Sequence, residues 1–114
     1  MNALDKILKM ECTFKVDFIY LRAYINNVLV GTLNFQILCD NKCNLYGLYV
    51  EPSWRRKGIA YKLNVFAIEE MKKLDKNLAA VASSSNDYVT KILLKLGYGF
   101  VDLTYRKLFF KEIG

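Results

Sequence analysis

The sequence predicts an α+β fold whose mixed, mainly antiparallel sheet follows the order βββ-α-β-α-ββ. The first half of the chain alternates β-branched and aromatic residues with polar ones and is interrupted by short polar turns, which is typical of antiparallel strands. Two later segments instead carry apolar residues at helical spacing, and a short apolar run lies between them. A single proline and the lack of any linker, repeat or low-complexity tract in 114 residues predict one domain over residues 1–114.

The strands before the first helix are predicted from alternation and from turn residues. Residues 1–9 are expected to form one or two helical turns, and Thr13–Ile25 is expected to form one strand. On that strand Phe14, Val16, Phe18 and Tyr20 would share a face. Asn26-Asn27 predicts a two-residue turn, because Asn tolerates a positive φ. The meander then continues with a strand at Val28–Cys39, a turn at Asp40–Cys43 and a strand at Asn44–Val50.

The second half of the chain predicts two helices that pack on the sheet. The first, Gly58–Lys73, has apolar residues three and four positions apart, and a short apolar strand follows at Leu78–Ala82. The Ser-, Asn- and Asp-rich loop at residues 83–87 favours the start of a second helix. Its apolar side is expected to carry Val89, Ile92, Leu93 and Leu96. A closing hairpin is predicted from Phe100–Leu103 and Arg106–Ile113.

Composition excludes several classes of function. The sequence has no histidine, which rules out Cys/His zinc sites and Ser-His-Asp or Cys-His catalysis, and its three cysteines do not make an even disulfide set. We therefore expect free thiols and no bound metal. No run reaches the ~18 apolar residues of a membrane span, and the N-terminus lacks an apolar signal core, so we expect no membrane association and a cytoplasmic location. The net charge of +6 favours anionic partners.

The run from Val50 to Ala60 predicts an anion site. It joins a strand to a helix through a short loop that carries Arg55, Arg56 and Lys57. The first N–H groups of a helix lack intrahelical partners, and the helix dipole places partial positive charge there. Gly58 would allow the backbone to approach a phosphate closely. The loop therefore indicates a bound pyrophosphate or a similar anion.

These residues resemble the signature of the GNAT N-acetyltransferase superfamily. In that family a strand ends in V-x-P, and R/Q-x-x-G-x-G/A then opens a long helix. Here the two parts read Val50-Glu51-Pro52 and Arg55-Arg56-Lys57-Gly58-Ile59-Ala60. The family also carries an Asn at the start of the next helix, eleven residues before a Gly-aromatic pair, and Asn86 and Gly97-Tyr98 keep that spacing. The resemblance covers residues 28–113.

The resemblance implies acetyl-CoA as cosubstrate and a primary amine as acceptor, with direct attack in a ternary complex. Backbone N–H groups of the loop would bind the pyrophosphate, and an N–H group of the preceding strand would polarise the thioester carbonyl. The implied cofactor-binding residues are Leu48, Tyr49, Val50, Arg55, Arg56, Lys57, Gly58, Ile59, Ala60 and Asn86, with Tyr61 next to them.

The chain departs from the family at the residues that usually transfer protons. Leu93 stands where family members often carry a Tyr as general acid, and the strand Asn44–Val50 has no carboxylate where they often carry a Glu as base. A lysine of pKa ~10.4 needs about 4–5 kcal/mol to lose its proton at pH 7, so the missing base is the more serious gap. Tyr88 and Ser84 are our candidate catalytic residues, and Ser83, Ser85, Tyr46 and Asp87 are further substitutes.

Three hypotheses follow for the function. Most family members place helices between their first two strands, whereas Asn26-Asn27 would join them directly here, so an open site and a protein or peptide amine are expected. The alternative is a catalytically degenerate member that keeps the fold, and perhaps CoA binding, as a binding or inhibitory module. Trp54 with Arg55–Lys57 motivates a third hypothesis, a small nucleic-acid binder, but we do not expect nucleic acid as the partner.

Overall fold

A computed structural model describes residues 7–75 and 78–113. Within these ranges the chain forms seven strands and two α-helices. The strands are β1 Leu8–Lys15, β2 Phe18–Ile25, β3 Val28–Leu38, β4 Lys42–Val50, β5 Ala79–Ser84, β6 Gly99–Asp102 and β7 Lys107–Glu112, and the helices are α1 Ile59–Leu74 and α2 Asp87–Lys95.

The strands form one seven-stranded mixed sheet, in the order β1-β2-β3-β4-β5-β7-β6. The pair β4–β5 is parallel and the others are antiparallel. The predicted α+β class is therefore confirmed. The elements expected after residue 28 are all found, with ends that differ from the expected ones by one or two residues.

The predicted element order is short of one strand, because Thr13–Ile25 is a hairpin. β1 and β2 pair in register from Leu8↔Ile25 to Lys15↔Phe18, and Val16 turns the chain with a φ of 57°. The backbone N–H of Ile37 donates a 2.8 Å hydrogen bond to the carbonyl of Asp17 and holds this turn against β3. Apolar alternation continues through the turn without a Gly or Asn, so the sequence pattern conceals it. Phe14, Val16 and Phe18 are consequently exposed at the hairpin end and do not form a packed face with Tyr20.

The helical turns expected at residues 1–9 are wrong at Leu8 and Lys9, whereas Ile7 is helical. Leu8 and Lys9 belong to β1, which is hydrogen-bonded to β2 along its length. Leu8, Met10 and Cys12 are half-buried against the core and alternate with exposed residues, so a period of two fits this segment better than a helical one. Residues 1–6 lie outside the described residues.

The core lies between α1 and the strands β2, β3 and β4. Helix α1 contacts all three strands, and its residues Ile59, Leu63 and Met71 are almost fully buried. Facing them are alternate residues of the sheet, such as Leu21 and Phe35. This packing fixes the start of α1 beside the end of β4. None of the described helices is long and apolar enough to cross a membrane.

Candidate functional site

The strands β4 and β5 begin as neighbours and then separate. They pair at Lys42↔Ala79, Cys43↔Ala80 and Asn44↔Val81. Beyond these three pairs, β4 remains hydrogen-bonded to β3 and β5 remains bonded to β7. The edge of β4 that faces β5 is therefore open from residue 45 to residue 50. Such an edge presents backbone N–H and C=O groups that an extended ligand can pair with.

A bulge in β4 lies on this open stretch. Thr32 pairs with Tyr49 and Asn34 pairs with Tyr46, so Gly47 and Leu48 together oppose one residue of β3. Gly47 has a φ of 70°, and its carbonyl accepts a 3.1 Å hydrogen bond from Oγ1 of Thr32. The bulge directs Leu48 toward the space between the two strands, where it lines both of the cavities described below.

The loop from β4 to α1 is held by its own hydrogen bonds. Pro52–Trp54 form a single 3-10 turn, and the N–H of Trp54 bonds to the carbonyl of Glu51 at 2.8 Å. The N–H of Glu51 donates to the carbonyl of Val30 at 2.8 Å, which ties the loop to β3. Arg56 has a φ of 63°, a left-handed conformation that costs a non-glycine residue about 1–3 kcal/mol and is often found at functional sites.

The first turn of α1 is open to a ligand. Its N-cap residue is Gly58, with a φ of 89°, and no side chain caps the helix. The first backbone bond of the helix runs from Lys62 N–H to Gly58 O at 3.0 Å, so the N–H groups of Ile59, Ala60 and Tyr61 precede it without intrahelical acceptors. A Cβ atom on Gly58 would meet nothing within 4 Å. A side chain at residue 58 would therefore project into open space beside these donors, and the anion site stays a prediction that the helix start is compatible with.

One cleft brings most of the predicted cofactor residues together. It has a volume of about 440 Å³ and lies between the end of β4 and the starts of both helices. We refer to it as the loop cleft. Its lining residues are Leu48, Tyr49, Val50, Trp54, Arg55, Arg56, Ile59, Ala60, Asn86, Tyr88 and Val89. Eight of the ten predicted cofactor residues are in this set.

Lys57 and Gly58 are the two predicted cofactor residues that do not line the loop cleft. Lys57 places its ammonium group over the ring of Trp54, 5.9 Å from the ring centre, and Gly58 is the N-cap residue of α1 next to the cleft residue Ile59. Trp54 and Val89 line the cleft although the resemblance did not indicate them. Val89 follows Asn86 by one helical turn and therefore lies on the same side of α2, so its place in the cleft could have been predicted from the helical period. No sequence pattern shows which way Trp54 faces.

Asn86 caps α2 at the rim of the cleft. Its Oδ1 accepts hydrogen bonds from the N–H groups of Tyr88, at 2.8 Å, and Val89, at 3.1 Å. These two bonds orient the carboxamide, and among the described residues its Nδ2 has no acceptor. Because the cap uses only Oδ1, the Nδ2 group of Asn86 can donate a hydrogen bond to a ligand in the cleft.

A second, smaller cavity continues from the loop cleft into the space between β4 and β5. It has a volume of about 230 Å³ and shares Leu48 and Val89 with the cleft. We refer to it as the gap pocket. Its lining residues are Leu33, Leu45, Tyr46, Gly47, Leu48, Asn64, Ala82, Ser83, Ser84, Val89 and Leu93.

The candidate catalytic residues are divided among these cavities. Tyr88 lines the loop cleft, and Tyr46 and Ser84 line the gap pocket. Ser84 Oγ is already engaged, because it accepts a 3.0 Å bond from the N–H of Asn86. Asp87 lines neither cavity and contributes to a separate shallow site with Arg106. Partial removal from water, and then the charge and hydrogen bond of Tyr20, raise the pKa of Tyr46, so its hydroxyl is protonated at neutral pH.

Comparison with known proteins agrees with this architecture. The sequence profile described as the Acetyltransferase (GNAT) family matches residues 4–98. The chain therefore belongs to the GNAT acetyltransferase family. No curated protein matches the chain.

Solved structures of acetyltransferases share the fold. The PaiA N-acetyltransferase from Thermoplasma acidophilum, in complex with coenzyme A, is 25% identical with a TM-score of 0.75, over 84% of this chain and 61% of that one. The Salmonella typhimurium protein yncA, with its cofactor acetyl-CoA, is 18% identical with a TM-score of 0.73, over 85% of this chain and 65% of that one. The ribosomal-protein-S18-alanine N-acetyltransferase from Escherichia coli is 15% identical with a TM-score of 0.72, over 85% and 68%.

Proposed function

We propose that the protein is an acetyl-CoA-dependent N-acetyltransferase that acetylates a primary amine of a protein or peptide. The observation that carries the proposal is the loop cleft itself. It joins three features that a CoA thioester requires: an uncapped helix start, an open strand edge and an oriented amide donor at Asn86.

The start of α1 would hold the pyrophosphate. The N–H groups of Ile59, Ala60 and Tyr61 supply donors and partial positive charge, and the space in front of Gly58 admits the phosphates. Arg55 and Arg56 line the same cleft and add cationic donors. Coenzyme A and acetyl-CoA, the ligands bound in two of the neighbouring structures, support this assignment.

The open edge of β4 would hold the pantetheine arm. An extended amide chain can add to residues 45–50 as a strand would, since β5 leaves this edge unpaired. Asn86 Nδ2 would donate to the same arm from the opposite wall. The pantetheine arm would then reach the bulge at Gly47 and Leu48, where a backbone N–H would polarise the thioester carbonyl.

The transfer itself is a direct attack in a ternary complex. The amine nitrogen bonds to the acetyl carbon, the carbon–sulfur bond breaks, the nitrogen gives up a proton and the CoA thiolate accepts one. A thiol of pKa near 8.5 leaves with little acid assistance, and Tyr88 or Tyr46 would supply that proton. Neither cavity is lined by a carboxylate, so the acceptor amine must lose its proton to water or before binding.

The missing base favours an acceptor of low pKa. An α-amine of pKa near 8 needs about 1–2 kcal/mol to become neutral at pH 7, whereas a lysine needs about 4–5 kcal/mol. A chain terminus is therefore the better acceptor for this site. The expected connection of the first two strands by Asn26-Asn27 is wrong, because that turn joins β2 to β3, whereas β1 and β2 are joined by Val16-Asp17. Within the described residues this connection also contains no helix, which supports an acceptor side open to a polypeptide.

The alternative is a degenerate member that binds CoA without turnover, and the lack of a carboxylate in either cavity favours it. Calorimetric titration with acetyl-CoA, followed by acetylation assays on peptides with free and blocked N-termini, separates the two. The proposal expects binding and product from the free peptides. Binding without any product would leave the degenerate module, and no binding at millimolar acetyl-CoA would overturn both.

A pair of glycine variants tests whether the activity belongs to this site. Gly58 and Gly97 have φ angles of 89° and 88°, so Trp strains both positions alike. Gly58→Trp also fills the space in front of α1 and should abolish binding and product formation. Gly97→Trp should lose stability but keep binding, because Gly97 lines neither the loop cleft nor the gap pocket.

A further inference from the structure

The gap pocket is larger than an acetyl group needs. Its volume is about 230 Å³, whereas a methyl group is similar in size to a water molecule, whose share of the liquid is about 30 Å³. The pocket begins at Leu48 and Val89, which it shares with the loop cleft. Under the proposed function, the acyl carbon would lie at this junction. The pocket is therefore the continuation of the cleft beyond the thioester.

The lining of the gap pocket is mostly aliphatic and carries no charge. Six of its eleven lining residues are aliphatic: Leu33, Leu45, Leu48, Ala82, Val89 and Leu93. Two features create the space. β5 separates from β4 after Val81, and Ala82 presents only a methyl group where a larger residue would close the gap. Leu93 is almost fully buried and adds no polar group to the wall.

The polar groups of the pocket do not suit an anion. The remaining lining side chains are Tyr46, Asn64, Ser83 and Ser84, which are neutral. Asn64 is 3% exposed, and its Nδ2 is committed to the carbonyl of Ala60 at 2.8 Å. A carboxylate placed here would lose part of its hydration without gaining a cationic partner, which is unfavourable.

We propose that the gap pocket binds the aliphatic chain of acyl-CoA donors longer than acetyl, with four to six carbons, and excludes donors whose chain ends in a carboxylate. This inference rests on the proposed function, since it assigns the acyl group to the same site. The bond changes in the transfer are those given above, with the longer acyl group in place of acetyl.

Calorimetric binding of CoA, acetyl-CoA, butyryl-CoA, hexanoyl-CoA and succinyl-CoA to the full chain tests the inference. Each methylene that becomes buried should tighten binding about fourfold, so butyryl-CoA should bind up to about 15-fold tighter than acetyl-CoA. Succinyl-CoA, of the same length as butyryl-CoA, should bind at least about tenfold more weakly than it.

A substitution in the pocket wall supplies the matched test. Ser83 is an exposed β5 residue, so Ser83→Phe fills the pocket without burying a new group in the core. It should remove the preference for butyryl-CoA and leave the affinity for CoA itself within about twofold. Thr13→Phe, at an exposed position of β1, is the control and should keep the preference.

The outcomes separate the inference from the proposed function. Equal affinities for acetyl-CoA and butyryl-CoA, with both bound, would overturn the acyl pocket and leave the acetyltransferase proposal standing. Tighter binding of succinyl-CoA than of butyryl-CoA would also overturn it. If neither CoA nor any thioester binds, the proposed function fails and the inference fails with it.

Discussion

Arg55 Nε donates a 2.8 Å hydrogen bond to the carbonyl oxygen of Val50. The bond ties the first cationic residue of the loop to the last residue of β4. The same guanidinium lies over the ring of Tyr49, 5.6 Å from the ring centre. Arg55 also lines the loop cleft, so its two terminal nitrogens, which this bond does not use, can serve as donors to an anion there.

Arg55→Lys should weaken CoA binding although it keeps the charge. An ammonium group cannot hold the Val50 carbonyl and a phosphate in a fixed fork, so one charge-assisted hydrogen bond is lost. We expect Kd for CoA to rise about tenfold, measured by calorimetry at constant salt. The thermal midpoint should change little, because Arg55 is exposed.

Arg22→Lys is the control for this prediction. Arg22 also lies over a tyrosine ring, that of Tyr20, at 5.8 Å, but it is on β2 away from the cleft. Its replacement should leave the Kd for CoA unchanged. Equal losses from both variants would mean that Arg55 acts through overall charge and not through its position.

Asn86→Asp separates the capping role of Asn86 from its proposed role in binding. Asp caps a helix as well as Asn does, and its charge is favourable at a helix N-terminus, so the free energy of unfolding should hold or rise slightly. The variant lacks Nδ2 and adds a negative charge beside the pantetheine path. We expect Kd for acetyl-CoA to rise about tenfold or more by calorimetry, with no loss of stability by urea unfolding.

Asn86→Ala completes the comparison. It removes both bonds to the Tyr88 and Val89 N–H groups, so it should cost about 1 kcal/mol of stability in addition to weakening binding. If Asn86→Asp binds acetyl-CoA as the wild type does, then Asn86 is a helix cap only.

The predictable part of the site rests on local backbone chemistry. The cap at Asn86 was predictable because a helix start favours a side chain that accepts from its first N–H groups, and the loop from Arg55 to Ala60 was predictable because Gly58 permits the positive φ with which the backbone enters α1. Gly47, inside a strand pattern, was a comparable signal for the bulge.

The less predictable part rests on tertiary contacts. Val16 is β-branched and still turns the chain at a φ of 57°, because β1 gains a full set of hydrogen bonds with β2 when the segment folds back. That gain is not visible in the turn residues. The separation of β4 from β5 also has no local sequence signal, because it depends on how α1 and α2 pack against the two strands. The gap pocket was invisible in the sequence for this reason.

Gly47→Ala should damage catalysis more than cofactor binding. A Cβ at this position would lie 2.5 Å from Nδ2 of Asn34, and the φ of 70° disfavours any side chain. We expect a loss of about 1–3 kcal/mol in the free energy of unfolding and a shifted bulge. Under the proposed function, kcat should fall by tenfold or more while Kd for CoA changes little, because the pyrophosphate donors belong to α1 and not to the bulge.

The double variant Asn34→Ala/Gly47→Ala distinguishes the two causes of the lost stability, which are the clash with Asn34 and the backbone strain at residue 47. Removing the Asn34 side chain relieves the clash but not the backbone strain, so it should recover part of the lost stability. Full recovery would show that the positive φ costs nothing here. No recovery would show that the clash is unimportant.

Cys43 predicts how stability changes at alkaline pH. It is fully buried on β4, and burial raises its pKa from the ordinary 9.0 to about 11. The folded state therefore holds this proton more tightly than the unfolded state, so the contribution of the thiol is complete below pH 9 and is lost as pH rises toward 11. The difference corresponds to about 3 kcal/mol at most. Urea unfolding at pH 7–11 should show a flat region followed by this decline.

Cys43→Val should flatten the decline, whereas Cys39→Val, at an exposed thiol, should leave it unchanged. An unaltered decline in Cys43→Val would assign it to other groups, of which Tyr98 is the first to test, because burial and then the nearby Cys43 also raise its pKa.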